Sequence, residues 1–138
     1  MGILKHFVLP MFCLYRAGMV IIGITQGKEG VAKGANFPVG EDGMTPLENH
    51  MIGAFVGFSA ALLFNAIAAI LTENSHYRAM ATAVEFIIAV TDAYDALYLA
   101  GPGFDATFLI GCSLLAGFGL AVHSREPGIF TKDKNKND

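Results

Sequence analysis

Four apolar segments, each close to the length of a membrane span, make up more than half of this 138-residue chain. A helix needs about 20 mostly apolar residues to cross the roughly 30 Å hydrocarbon core of a bilayer. The segments lie at residues 7–24, 50–71, 79–100 and 106–122. The sequence therefore predicts an all-α fold, an integral membrane four-helix bundle.

The composition agrees with this class of protein. Hydrophobic residues make up 54% of the chain and the mean hydropathy is +0.51, whereas soluble domains contain about 45–50% apolar residues. The alternative is a water-soluble helical protein, but a chain of this size has one core in which to bury four long apolar runs. The net charge of −3 provides no basic surface, so no nucleic-acid partner is expected.

The connections and charges predict how the spans are arranged. Residues 25–49 are expected to form a long polar loop, whereas the connections at 72–78 and 101–105 are short and predict antiparallel packing of spans two to four. Six basic residues fall on the side that holds both termini and two fall in the first loop: Lys5, Arg78, Arg125, Lys132, Lys134 and Lys136, against Lys28 and Lys33. Both termini are therefore expected on the cytoplasmic, matrix or stromal side.

The N-terminal segment has two interpretations. Lys5 precedes a short apolar run, as in a signal peptide, but Arg16 interrupts the run and no small-x-small cleavage pattern follows. We interpret the segment as a retained first span of a domain covering residues 1–124. Residues 125–138 are charged and poor in apolar residues, which predicts a flexible tail. The pattern does not distinguish the endoplasmic reticulum from an organellar or bacterial inner membrane.

The third span carries three carboxylates in the stretch "EFIIAVTDAYDALYLAG", residues 85–101. Glu85, Asp92 and Asp95 fall on one side of a helix. A charge near the bilayer centre costs about 2.5–3.5 kcal/mol, so such groups usually face the bundle interior and find partners. Arg16 on the first span lies between Glu85 and Asp92 in depth, and we predict an ion pair with one of them. Asn65 lies at a depth near Glu85 and can hydrogen-bond across the same interface.

These polar residues allow two interpretations. One is a structural clamp, in which Arg16 and Asn65 hold the carboxylates between helices. The other is a site for proton transfer, an ion or a polar head group. Asp95 favours the second, since it lies toward the outer end of the span, beyond easy reach of Arg16.

Small residues on two spans predict close helix packing. Gly53 and Gly57 have GxxxG spacing that continues to Ala61, and Gly111 and Gly117 lie on the fourth span. Small residues let helix backbones approach closely in membranes. The strip on the second span serves either the bundle itself or a neighbouring subunit.

No catalytic or metal-binding motif is found in the sequence. His50 follows Glu48, but "TPLE" at residues 45–48 resembles a capping box, so a helix start is favoured over a metal site. Cys13 and Cys112 lie in apolar runs without metal-type spacing and are interpreted as buried thiols. No metal and no cofactor are therefore predicted.

The order of elements along the chain resembles that of two membrane protein families. A single span is followed by a longer polar loop, three tightly connected spans and a charged tail. One is the endoplasmic-reticulum scaffold of ergosterol biosynthesis, whose third span likewise opens with an aromatic pair region and closes on an aromatic-Gly turn, compared here with "HYRAMATAVEFIIAVTDAYDALYLAG". The other is the DoxX-like group. The resemblance covers residues 50–123 as a pattern, and no functional residue is transferred from it.

These observations predict a non-catalytic accessory or scaffold subunit. Its expected partners are membrane lipids and either larger membrane proteins or further copies of the chain. The alternative is a membrane-embedded enzyme or carrier for a lipophilic or protonated substrate, in which Glu85, Asp92 and Asp95 are the catalytic or binding groups.

Overall fold

The computed structural model of the protein describes residues 2–34, 40–98 and 105–126, and within these ranges the chain is all-α. The predicted all-α fold with four helices is confirmed. A π-helical segment, Leu4–Val8, leads into the first of them. The helices are α1 (Leu9–Gly34), α2 (Pro46–Leu71), α3 (Ser75–Tyr98) and α4 (Thr107–Ser124). The predicted tail lies outside the described residues from position 127 onward, as does the predicted end of the third span at position 100.

The π-helical segment lies directly before a proline in α1. The N–H of Leu9 donates to the carbonyl of Leu4, which is the wider spacing of a π-helix. Pro10 has no N–H to donate, and its ring would clash with the carbonyl four residues earlier in a regular α-helix. The helix therefore accommodates Pro10 through a widened turn that precedes it.

The end of α1 differs from the prediction. Gly27 has φ 71° and ψ −170°, which breaks the helix, and residues 28–34 form a second helical stretch. Val31 and Ala32 in this stretch are buried in a small cluster with Ile52 of α2. The prediction of a polar loop from residue 25 onward is therefore wrong at its start. The stretch that contains Val31 and Ala32 is helical and packs against α2 through these two apolar residues. Residues 35–39 of that loop lie outside the described residues.

A capping box sets the start of α2, as the sequence predicts. Thr45 Oγ1 accepts from the Glu48 N–H, and the Thr45 N–H donates to Glu48 Oε2 at 2.8 Å. Pro46 follows at the first helical position, where its missing N–H costs nothing. The box fixes where α2 begins, since it satisfies N–H groups that have no partner within a helix.

The four helices form two tightly packed pairs, α1 with α2 and α3 with α4. The main core lies at the end of the bundle that holds the N-terminus. Bulky side chains from the π-helical segment and early α1 pack there against alanines of the other three helices: Leu4, Val8, Leu9 and Phe12 against Ala66, Ala69, Ala81 and Ala116. At the opposite end, where α2 and α4 begin, the two pairs are less closely packed.

Three helical segments are long and apolar enough to cross a membrane: Leu4–Gly34, Pro46–Leu71 and Thr107–Ser124. The third helix is not among them. Large apolar side chains cover the outer surface of the molecule; Phe64 is 78% exposed and Leu14 is 70% exposed. Apolar surfaces of this extent are rare on soluble monomers and mark contact with membranes or other proteins. Together with the three segments, they indicate a membrane location.

Candidate functional site

A buried ion pair joins α1 to α3. Arg16 Nη2 donates to Glu85 Oε2 at 2.7 Å, and Arg16 Nε donates to Glu85 Oε1 at 3.2 Å. Both side chains are 3% exposed. The planar guanidinium therefore meets both carboxylate oxygens, which is the strongest geometry for such a pair. Of the two partners predicted for Arg16, the structure selects Glu85 rather than Asp92.

Two further contacts complete the surroundings of Arg16. Its Nη1 donates to Ser59 Oγ of α2 at 3.3 Å, and Ser59 is fully buried. The guanidinium carbon lies 4.6 Å from the centre of the Tyr15 ring, and that ring packs against Phe108 of α4 at 4.9 Å between centroids. Arg16 is thus linked to each of the other three helices, either directly or through Tyr15.

This arrangement favours the clamp interpretation for Glu85. Both of its oxygens accept from Arg16, and the pair is shielded from solvent. A buried charge left without its partner is strongly destabilising. The pair therefore fixes the relative positions of α1 and α3 and leaves Glu85 poorly placed to act on a substrate.

A second polar contact lies closer to the end that holds the N-terminus. The Tyr77 hydroxyl of α3 donates to Asn65 Oδ1 of α2 at 2.7 Å. Asn65 therefore bonds across a helix interface as predicted, but with Tyr77 and not with the Arg16–Glu85 pair. Arg78 donates from Nε to the Ala69 carbonyl at 3.1 Å and from Nη2 to the Thr72 carbonyl. A cation at these carbonyls stabilises the C-terminal end of α2.

The three carboxylates of α3 have different surroundings. Glu85 is buried in the ion pair, whereas Asp92 and Asp95 are exposed. Within the described residues, neither aspartate makes a hydrogen bond or an ion pair. Of the three carboxylates predicted on one side of this helix, one is therefore structural and two are available to a ligand.

Both aspartates line a cleft of about 970 Å³ between α1, α3, α4 and the start of α2. Its walls are largely apolar and rich in methionine and aromatic side chains: Met11, Met19, Met44, Met51, Phe12, Tyr15, Phe55 and Phe108. Four carboxylates also line it, from Glu48, Asp92, Asp95 and Asp105. Asp95, expected to lie beyond easy reach of Arg16, is thus among the residues that line this cleft.

Two of the four carboxylates are committed to helix starts. Glu48 belongs to the capping box of α2. Asp105 Oδ1 accepts from the Thr107 N–H at 2.9 Å, and hydrogen bonds from the Thr107 side chain and backbone lower the pKa of Asp105. His50 is exposed and does not line the cleft. Within the described ranges, no group of three His, Cys, Asp or Glu residues could hold a metal ion.

The small residues predicted to pack helices have different environments. Gly117 packs inside the bundle, since a Cβ there would lie 3.1 Å from Phe86 Cε2. Gly53 is covered by the Lys28 side chain, which a Cβ would meet at 3.3 Å. Gly57 and Gly111 have no atom within 4 Å of a Cβ position, and Ala61 is exposed. Gly111 therefore differs from the prediction: it lines the cleft, and no atom lies within 4 Å of a Cβ position there.

Sequence reasoning missed Ser59 and Tyr77. Ser59 is a lone hydroxyl in the apolar run "GAFVGFSAALLF", which was a usable signal for a buried hydrogen-bonding role. Tyr77 lies beside Arg78 at the start of α3, where an interfacial tyrosine gives no specific signal. Cys13 and Cys112 were expected to be buried, but both are half-buried free thiols.

Comparison of the sequence with models of known families and with curated proteins, and of the fold with solved structures, finds no match. The resemblance to the ergosterol-biosynthesis scaffold and to the DoxX-like group therefore stays a prediction.

Proposed function

We propose that the chain is a four-span integral membrane protein that serves as a non-catalytic accessory or scaffold subunit. Both termini lie on the cytoplasmic, matrix or stromal side. Its partners are larger membrane proteins or further copies of the chain, packed against it within the bilayer.

The surface of α3 supports a fourth span. Many of its exposed side chains are large and apolar or aromatic: Met80, Val84, Ile87, Val90, Tyr94, Leu97 and Tyr98. Two of its charges are placed away from this surface, since Glu85 is buried against Arg16 and Arg78 binds the carbonyl end of α2. The other two acidic residues, Asp92 and Asp95, are exposed, but they line the cleft between the helices. A helix of 24 residues is long enough to cross a bilayer. The low overall hydropathy of α3 is therefore compatible with spanning in this bundle.

The observation that carries the proposed scaffold role is an exposed strip of small residues on α2. We define the α2 strip as Ala54, Gly57 and Ala61, all of which are exposed; the exposed ring of Phe64 marks its end. Their spacing follows one face of a helix. No atom lies within 4 Å of a Cβ position at Gly57. In a membrane, a strip of this kind lets another helix approach closely and gain packing energy.

The test is recovery of partners by a tagged chain. The wild-type protein is purified from its native membrane in mild detergent, and co-purifying proteins are quantified by mass spectrometry. We expect a reproducible set of larger membrane proteins, or a second copy of the chain, that is lost from Gly57→Leu/Ala61→Leu. Gly111→Leu is the matched control, because it adds the same side chain at another open glycine outside the α2 strip. Recovery of the wild-type protein as a partner-free monomer, or equal recovery with the strip variant, would contradict the role.

The cleft favours a second function, the binding or carrying of a lipophilic substrate. In that function Asp92 and Asp95 contact the substrate, whereas Glu85 does not, because Arg16 encloses it. The volume of about 970 Å³ lies within the range of roughly 300–1,000 Å³ that is usual for small-molecule sites.

A further inference from the structure

The cleft combines apolar walls with an excess of negative charge. Four of its lining residues are acidic, and none of those in the described part of the chain is Lys, Arg or His. Glu48 and Asp105 each accept a backbone N–H at the start of a helix. Asp92 and Asp95 have no such partner among the described residues. All four carboxylates contribute negative charge to the cleft, and the oxygens of these two aspartates are the ones available for direct contact with a ligand.

The nearest candidate cation is already matched. Arg16 contributes Nε and Nη2 to Glu85 and Nη1 to Ser59, all within the protein interior. A carboxylate beside apolar walls loses hydration, and an opposite charge in the same place offsets that loss. A cation supplied from outside the chain would therefore be stabilised in this cleft, whereas an anion of the same size would be repelled.

The walls indicate what kind of cation fits. Methionine side chains adapt to irregular apolar shapes, and four aromatic rings, those of Phe12, Tyr15, Phe55 and Phe108, line the same space. Aromatic faces attract organic cations as well as apolar groups. A bare metal ion is disfavoured, since no described group of three ligands could hold one.

We propose that the cleft binds a lipophilic organic monocation, with its positive nitrogen or phosphorus centre beside Asp92 and Asp95. Its apolar body lies against the methionine and aromatic walls. This inference rests on the second proposed function, ligand binding, and is independent of docking through the α2 strip. It names the chemical class of the ligand, which the cleft volume by itself does not.

The experiment uses two probes of the same size and opposite charge, tetraphenylphosphonium and tetraphenylborate. Binding to the full chain in lipid nanodiscs is measured by equilibrium dialysis, and empty nanodiscs are subtracted as background. We expect saturable binding of the cation, weakened about tenfold or more in Asp92→Asn/Asp95→Asn, as for loss of a charged partner. Glu73→Gln is the matched control, because Glu73 is exposed in the α2–α3 connection and lies outside the cleft lining.

A second variant blocks the space without changing the charge. Gly111 lines the cleft and has no atom within 4 Å of a Cβ position, so Gly111→Leu adds a side chain that takes up part of the cleft. We expect this variant to weaken cation binding, while Gly57→Leu leaves it unchanged. The cation inference would be overturned if both probes bound equally and their binding were weakened by Gly111→Leu but not by the aspartate variant. That outcome would still support a ligand-binding function for the cleft. Absence of saturable binding, or binding unaffected by Gly111→Leu, would overturn both.

Discussion

Arg16 on α1 and Glu85 on α3 lie 69 positions apart in the chain and meet at 2.7 Å in the interior of the bundle. The two helices otherwise touch over a short stretch, because each packs mainly against a different neighbour. The ion pair is therefore the principal polar link between the first helix and the third.

Removal of one partner of this pair should destabilise the protein strongly. Arg16→Met leaves Glu85 buried without a cation, and we expect the free energy of unfolding to fall by about 3–5 kcal/mol. The measurement is unfolding in mixed detergent micelles, followed by circular dichroism. Arg16→Met/Glu85→Leu should recover most of the loss, since no unpaired charge remains. Glu73→Gln serves as the exposed control. A double variant that loses the sum of the two single effects would contradict this account.

The contact between Tyr77 and Asn65 should contribute less. Hydrogen bonds between helices in membranes are worth about 0.6–1.7 kcal/mol, so Tyr77→Phe is expected to lower stability by an amount in that range. A double-mutant cycle with Asn65→Leu isolates the pair. Additive effects of the two substitutions would show that the hydroxyl and the amide are not coupled.

The break in α1 should depend on glycine at position 27. Its φ of 71° lies in the left-handed region, where a side chain costs about 1–2 kcal/mol. Gly27→Ala should therefore lower stability, even though alanine favours helix elsewhere. Gly18→Ala is the control, because no atom lies within 4 Å of its Cβ position and its φ is not positive. A stabilised Gly27→Ala would indicate that α1 continues without the break.

Gly119 should be intolerant of any side chain. A Cβ there would lie 2.6 Å from Val8 Cγ2 and 3.1 Å from Leu4 Cδ2, within the main core. Overpacking of this kind costs about 1–3 kcal/mol, so Gly119→Ala should lower the thermal unfolding midpoint. Gly57→Ala provides the comparison at an open position. Equal midpoints for the two variants would contradict the close contact between the N-terminal segment and α4.

Much of the fold follows from the sequence because helix length and depth are regular. Runs of about 20 apolar residues predict the helices, and the fixed rise per residue places Arg16 between Glu85 and Asp92. The choice of Glu85 depends on how α1 and α3 are rotated about their axes, which spacing along one helix does not specify. Thr45 and Glu48 were predictable as a capping box, since that interaction is local.

The cleft was the least predictable feature. It depends on how far apart the two helix pairs stand, and no residue pattern encodes that distance directly. Gly111 illustrates the problem, because a glycine on an apolar helix serves equally well for close packing or for open space. The helical stretch after Gly27 was missed for a related reason: Val31 and Ala32 gain burial through Ile52, a contact made across the first connection.

The most direct test is whether α3 crosses the bilayer. Single cysteines are introduced by Glu73→Cys and Asp105→Cys, on either side of α3, in a chain whose Cys13 and Cys112 are replaced by alanine. Labelling in sealed vesicles with a membrane-impermeant maleimide reports the side on which each position lies. Position 73 should be labelled from the cytoplasmic, matrix or stromal face and position 105 from the opposite face. Labelling of both positions from the same face would contradict a four-span bundle in which Arg16 shields Glu85 within the membrane.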